Sequence, residues 1–360
     1  MKTVVCLGEI MARLSPPGHQ RLRQALPGML EATFAGAEAN ISASIAMLGG
    51  RSRYVTALPK NLLGEACLQF LRGIGVDTSC IIEASTGRMP AYFVESGAAQ
   101  RPSTVLYDRD YSSFSLTPGS SYNWDAIFAD ASWLMISGIS PALSATAADV
   151  TLTAAREARN RGIAVCCDLN FRATLWNWKP GTSARDLAQS VMGNLMPFID
   201  VVITNPEQAA DVLAIPWAGS EERDEKAYTQ AARRIALAYP HLQKVIFTMR
   251  ENISASHNNI GALLYEPASH CVTMAPCTDG GQYSPYSVHP IVDRIGAGDA
   301  FAAGLIYAFT TPGFDTAASA LSFAIAASCL AHSIPGDINF ANRAEIEFLV
   351  NGNRSGRILR

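Results

Sequence analysis

The sequence predicts an α/β fold with a mostly parallel central sheet and helices on both faces, and three observations carry that prediction. Short apolar runs alternate with longer segments of helical period along most of the 360 residues. Hydrophobic residues make up 49% of the chain and charged residues 16%, a composition that suits a large buried core. Glycines fall where helices should stop, as at Gly49-Gly50.

The elements follow in order. Thr3–Leu7 reads as a first buried strand. Residues 37–48 form a helix with a small-residue face, and 53–57 a strand. Residues 64–73 give a second helix. Strands at 132–137 and 163–169 flank a helix around 142–161. Strands at 200–204 and 244–249 flank one around 227–238. Near the end, 287–292 reads as a strand, followed by the turn Gly296-Ala297-Gly298, a helix from about Asp299 to Phe309 and another over 316–332. The polar tail 351–360 is expected to be loosely held. We expect one domain spanning 1–360.

Two stretches break this rhythm. Residues 13–34 contain Ser15-Pro16-Pro17-Gly18 and Pro27-Gly28, and residues 87–111 contain β-rich pieces at 91–95 and 103–107. Together they predict a small β excursion from the main sheet, serving as a lid that keeps water out; two ordinary surface loops are the alternative.

Composition also excludes. A formal net charge of −3 gives no bulk attraction for nucleic acid or an anionic membrane. No apolar run approaches the roughly 18 residues of a membrane span, and the N-terminus lacks the pattern of a signal peptide. The eight cysteines and six histidines are dispersed, with no C-x-x-C pair and no zinc spacing. They read as buried residues of a reducing, cytoplasmic compartment.

The segment Asp293-Arg294-Ile295-Gly296-Ala297-Gly298-Asp299 carries chemistry. Its glycines permit a tight turn into a helix N-terminus, where unpaired backbone N–H groups and the helix dipole form an anion site. Asp299 at that position stabilises a first turn, and it can also take a proton from an attacking hydroxyl. Phosphoryl transfer asks for little else beyond positioning and charge neutralisation. The turn is no Walker loop, since no G-x-x-x-x-G-K-[ST] is present, and it does not follow the first strand as a dinucleotide fingerprint would.

This segment resembles the second signature of the PfkB, or ribokinase-like, sugar kinases, and the resemblance runs over nearly the whole chain. Gly8-Glu9 is similar to that family's opening, and Ala35-Gly36-Ala37-Glu38-Ala39-Asn40 to its first signature. Gly64 and Gly73-Ile74-Gly75-Val76-Asp77 follow in family order. Within the family, Gly36-Ala37-Glu38-Ala39-Asn40, Ser137-Gly138-Ile139-Ser140-Pro141, Asp168-Leu169-Asn170-Phe171-Arg172 and Ile334-Pro335-Gly336-Asp337 resemble the 2-keto-3-deoxygluconate kinases.

The resemblance implies a ribokinase-like three-layer α/β/α fold. It further implies ATP-dependent phosphorylation of the terminal primary hydroxyl (6-OH) of a sugar acid. Asp299 is then the base, and the backbone N–H groups of Gly296, Ala297, Gly298 and Asp299 form the cradle for the transferring group. Gly36, Asn40, Tyr92, Tyr107, Arg109 and Arg172 fall to the sugar acid, Arg172 to its carboxylate or to the phosphate chain. Asp168, Asn170, Asn205 and Thr248 fall to the nucleotide side, with the helix near 324–332 flanking adenine. Mg²⁺ accompanies ATP without an assigned protein ligand, and a monovalent cation near the 293–299 turn is allowed by analogy. Two departures stand out. Asn205-Pro206-Glu207-Gln208 places its acid one position earlier than the family's N-x-x-E, and Thr248-Met249-Arg250-Glu251 replaces a glycine-rich turn. Fructose, ribose or the galactonate epimer remain alternative substrates, as does a non-catalytic binding protein on the same fold. A dimer formed through the lid is expected.

Overall fold

The computed structural model describes residues 2–217 and 225–352. A nine-stranded sheet crosses it in the order Cys271–Ala275, His257–Glu266, Lys244–Ser254, Val201–Thr204, Ala164–Asp168, Ala131–Ser137, Thr3–Leu7 and Arg51–Val55, with Tyr286–Val288 also paired to His257–Glu266. Every pairing from Lys244–Ser254 to Arg51–Val55 is parallel. The far edge is antiparallel.

Strand alternation divides the core in two. Val4 and Cys6 point to one face and Val5 and Leu7 to the other. The adjacent Cys166 and Cys167 are split the same way, both fully buried, and all eight cysteines are free thiols. The first face is covered by the helices Ala37–Met47, Leu62–Ile74, Ala297–Thr310 and Ala317–Ala331, through side chains such as Ile41, Leu71, Phe301 and Phe323. The second is covered by Ala145–Asn160, Ala184–Leu195, Pro206–Leu213 and Glu225–Ala238, through Ala154, Met192, Val212 and Ile235. Two buried faces explain why the strands read as continuous apolar runs. The arrangement is three-layered α/β/α.

A separate four-stranded sheet, in the order Glu31–Ala35, Met11–Ser15, Ala91–Glu95 and Thr104–Asp108, is built from the two stretches that broke the α/β rhythm. Its two middle strands pair in parallel although about eighty residues of chain separate them.

Some boundaries differ from expectation for local reasons. The helix expected around 142 starts at Ala145 because the Ser144 hydroxyl accepts the Ala147 N–H as its cap. The strand expected over 287–292 is Tyr286–Val288, stopped where Pro290 has no N–H to give a ladder. The strand expected at 53–57 is Arg51–Val55, and Ala57–Pro59 pairs instead with Ile82–Ala84 in a two-stranded sheet. The strand expected over 244–249 continues to Ser254 and folds back as a hairpin on His257–Glu266. The tail beyond Gly352 lies outside the described residues. No helix among them is long and apolar enough to cross a membrane.

Candidate active site

The carboxyl ends of Ala164–Asp168 and Val201–Thr204, the middle of the longer strand Lys244–Ser254 and the N-terminus of the helix Ala297–Thr310 open on one cleft of about 800 Å³, which the small sheet borders. Ligands of open α/β sheets bind at such strand ends, and the volume suits a small-molecule site.

Gly296 caps the helix with φ of 82°, a left-handed conformation, and a Cβ there would lie 1.9 Å from the Asp337 carbonyl oxygen. The first intrahelical bond runs from the Ala300 N–H to the Gly296 carbonyl at 2.8 Å. The N–H groups of Ala297, Gly298 and Asp299 therefore precede the ladder and form the positive end of the helix. Helix starts two residues earlier than sequence suggested, so Asp299 sits inside its first turn rather than before it. Burial pushes the Asp299 carboxyl up to about 8, with the nearby carboxylates Asp168, Asp337 and Glu38 adding to the rise. A hydrogen bond from Asn40 Nδ2 to Asp299 Oδ2, 2.7 Å, opposes it.

Asn40, expected on a substrate hydroxyl, lines the cleft and donates its amide to Asp299. Its Oδ1 accepts the Gly36 N–H at 3.2 Å, so the amide is held at both ends. Gly36 lines the cleft at the start of the helix Ala37–Met47, and a Cβ there would lie 2.1 Å from the Glu9 carbonyl oxygen. Tyr92 and Tyr107 also line the cleft, their rings 5.9 Å apart. They differ in role: Tyr92 is buried and donates its hydroxyl to Asp337 Oδ2 at 2.5 Å, whereas Tyr107 is exposed.

Arg109 lies over the Tyr107 ring and is already paired. Its Nη2 and Nε donate to Glu9 Oε2 at 2.5 and 3.0 Å, and the Ser112 hydroxyl holds Glu9 Oε1. The pair is neutral overall, so Arg109 is an oriented donor rather than a free cation.

Free cations lie on the opposite wall. Arg172 and Arg250 line the cleft and form no ion pair among the described residues. Arg294 lines it too, with Nη2 on the carbonyls of Ser254 and Ala255 at 3.2 and 3.0 Å. Desolvation, then the like charges of Arg294 and Arg172, lower the pKa of Arg250, which marks the three as neighbours. Asp168 faces them, raised to about 6 by burial against the opposing pull of Arg172 and of the Asn170 N–H. Asn205 lines the cleft while capping Pro206–Leu213 through the Gln208 N–H at 2.8 Å, and Thr248 lies beside them. Residues 324–332 do not line this cleft; His332 is fully buried, with Nδ1 on the Ser328 carbonyl at 2.7 Å.

Sequence reasoning missed Glu9, Arg250 and Arg294 as cleft residues, and missed Arg13 altogether. Arg13, from the small sheet, is buried between Asp293 and Asp337 on either side of the Gly296 turn, with Nη2 2.6 Å from Asp293 Oδ2 and Nη1 on Asp337 Oδ1. Asp293 Oδ1 accepts the N–H groups of Arg294 and Ile295 at 2.8 and 3.1 Å, and Oδ2 also accepts that of Gly336 at 3.2 Å. All four acceptor positions of that carboxylate are used. The Arg13 guanidinium thus lies between these two carboxylates. Three acidic, histidine or cysteine side chains do not converge on a metal site anywhere among the described residues. A metal carried in by nucleotide phosphates is compatible with that arrangement.

The family model described as pfkB family carbohydrate kinase matches residues 1–344. The chain belongs to that family. As a pfkB carbohydrate kinase it transfers phosphate from ATP to a carbohydrate. The crystal structure of a 2-dehydro-3-deoxygluconokinase from Thermotoga maritima superposes with a TM-score of 0.88 at 39% identity, covering 98% of this chain and all of that one (100%). A putative 2-keto-3-deoxygluconate kinase from Enterococcus faecalis gives 0.87 at 26% identity, covering 100% of this chain and 99% of that one. Among curated relatives, a 2-dehydro-3-deoxygalactonokinase from Haloferax volcanii is 29% identical over 98% of both chains. These likenesses span the pfkB kinase fold, the small sheet included.

Proposed function

We propose that the chain phosphorylates the terminal primary hydroxyl (6-OH) of 2-keto-3-deoxygluconate, with Asp299 as the base. The observation that carries this reading is the pairing of Asp299, in the first turn of an open helix N-terminus, with unpaired guanidinium groups across one cleft. The substrate hydroxyl gives its proton to the Asp299 carboxylate as its oxygen attacks the γ-phosphorus of ATP. The bond to the β–γ bridging oxygen breaks and ADP leaves. The N–H groups of Ala297, Gly298 and Asp299 meet the charge that develops on the transferring group. Asn40 holds the carboxylate in place.

An acid substrate wants a cation, and the Glu9–Arg109 pairing shifts that task towards Arg172. Arg109 keeps a neutral-pair role: it fixes Tyr107 and presents its remaining N–H groups to sugar oxygens. Asp168, Asn170, Asn205, Thr248, Arg250 and Arg294 form the nucleotide wall. Asp168 is the cleft carboxylate that would meet, through water, a Mg²⁺ brought in with ATP, which would supply charge neutralisation at the phosphates. The small sheet acts as the lid of a single domain. Leu106 is exposed on it, and Leu26 and Met29 are exposed on the segment that leads into its strand Glu31–Ala35, which supports a dimer formed through the lid; light scattering should give twice the chain mass, and Leu106→Glu should shift it to monomer. The free thiols suit a reducing cytoplasm.

An ADP-release assay across 2-keto-3-deoxygluconate, 2-keto-3-deoxygalactonate, fructose and ribose tests the substrate. The reading predicts highest kcat/KM for the gluconate-derived acid. Faster turnover of fructose or ribose would sink it. The galactonate epimer is the second reading, favoured by the full-length Haloferax volcanii relative.

A further inference from the structure

The family resemblance allows a monovalent cation near the 293–299 turn, and beside that turn the Arg13 guanidinium lies between two carboxylates. Arg13 is 4% exposed, and the side chains of its partners Asp293 and Asp337 are 7% and 5% exposed. Two buried carboxylates this close to one turn need a compensating charge, because each ionised form is disfavoured by burial and by the other. Asp337 shows the effect, raised by burial and Asp293 and held down by Arg13.

The position of the charge matters as much as its sign. Asp293 precedes the turn and gathers the N–H groups of Arg294, Ile295 and Gly336. The main chain of Asp337 packs against Gly296, where no side chain fits. Arg13 therefore clamps both chain segments that shape the Gly296–Asp299 cradle. Its strand, Met11–Ser15, lies in the small sheet and pairs with Ala91–Glu95, whose Tyr92 donates to the other oxygen of Asp337.

We propose that the Arg13 guanidinium is a covalently attached substitute for an alkali cation at the catalytic turn. It is a positioning residue that keeps the cradle in register only while the small sheet is docked. A guanidinium does this well because its planar fork reaches two carboxylates at once and never loses its proton. Turnover therefore needs no monovalent ion. The inference rests on the kinase reading only in its activity arm.

The test begins with the unmodified full chain. Its ATP-dependent turnover of 2-keto-3-deoxygluconate is measured in potassium, sodium and choline chloride at equal ionic strength, beside thermal melts in the same salts. Rates within about twofold and superimposable melts are expected. Loss of about tenfold or more in choline, or a melt raised specifically by potassium, would overturn the proposal. The Arg13→Ala variant then exposes the vacated charge. Its melting temperature should fall by about 5 °C or more, and kcat should fall about 100-fold, the scale of a small misplacement of reacting groups. Millimolar ethylguanidinium or potassium should recover part of both, with no effect on the unmodified chain. A folded variant with unchanged kcat, or one that neither cation rescues, would also overturn it. If Arg13→Ala does not fold, the salt series on the unmodified chain and Arg13→Lys, expected to melt between the two and to gain potassium sensitivity, decide the matter. Should no sugar of the panel be turned over, the function proposed above fails, while the melts still judge Arg13.

Discussion

At the residue scale, the proposed base Asp299 takes a hydrogen bond from Asn40 that favours its ionised form. A carboxylate raised to about 8 is protonated over much of the neutral range, so the catalytic form is populated as pH climbs through that value. The kcat/KM profile should rise with pH through a limb near 8. Asp299→Asn should cost about 100- to 10,000-fold in kcat, the usual worth of a positioned base. Asn40→Ala removes the hydrogen bond that favours the ionised carboxyl. Its signature is a limb displaced to higher pH, with activity recovered in alkaline buffer; an unmoved limb would show that Asn40 serves only the substrate. Arg250→Ala should raise KM for ATP about tenfold and leave KM for the sugar acid nearly unchanged, as expected for loss of one charge-assisted contact.

The same scale shows what sequence could and could not tell. Asp299, Gly36, Asn40, Arg172 and Asp168 stand in recognisable local patterns, and the fold brings all of them to one cleft. Arg13 stands in none, and the segments that hold Glu9 and Arg250 carry no spacing that marks either as a cleft residue. Arg13 meets Asp337 across 324 positions of chain, and Arg109 meets Glu9 across 100. No periodicity or spacing encodes such pairs; they exist only once two sheets are folded against each other. The sequence assigns Arg109 to the sugar acid because its partner Glu9 is invisible there.

At the scale of elements, the helix Ala297–Thr310 and its left-handed cap form the part that tolerates least change. Gly296→Ala places a methyl against the Asp337 carbonyl and imposes a positive φ on an L-residue. Loss of activity by more than about 100-fold is expected, with a lowered melting temperature, because the peptide must move where a shift of about 1 Å is already costly. By contrast Gly298 has open space around it, so Gly298→Ala should fold normally and report only on access to the phosphoryl group, through kcat. Parallel strands and their helices were legible from apolar runs because burial on both faces leaves no alternation to misread. The hairpin Lys244–Ser254 with His257–Glu266 was not. Its distal half, Arg250 to Ser254, is polar and looked like loop, yet the antiparallel ladder continues through it and carries Arg250 into the cleft.

For the whole molecule, buried titratable groups set the pH dependence of stability, and they do not all act in one direction. Burial raises Asp299 to about 8, Glu38 to about 7 and Asp168 to about 6. In the unfolded chain these groups ionise near 4. Between roughly pH 4 and 8 the native state therefore holds protons that the unfolded chain has released, and stability from these groups, complete below pH 4, is lost as pH rises. His332 acts in the opposite direction. Buried and held to about 4, it must stay neutral in the native state while the unfolded imidazole gains a proton below about 6.5, so its contribution is lost on acidification. The three carboxylates outweigh the single imidazole, so the contribution of these four groups should fall steadily from about pH 4 to about pH 9, with His332 only softening the slope on the acid side. Asp299→Asn removes the group with the highest of these values. Its melting temperature should match that of the unmodified protein near pH 4 and exceed it increasingly up to pH 9, while activity is lost. A variant that is no more stable than the unmodified chain at pH 9 would show that Asp299 ionises without strain in the native fold, and the limb expected near pH 8 would then have to come from another group. The trade follows from the cleft itself: the burial that makes Asp299 a base near neutral pH also makes its charge a load on the fold.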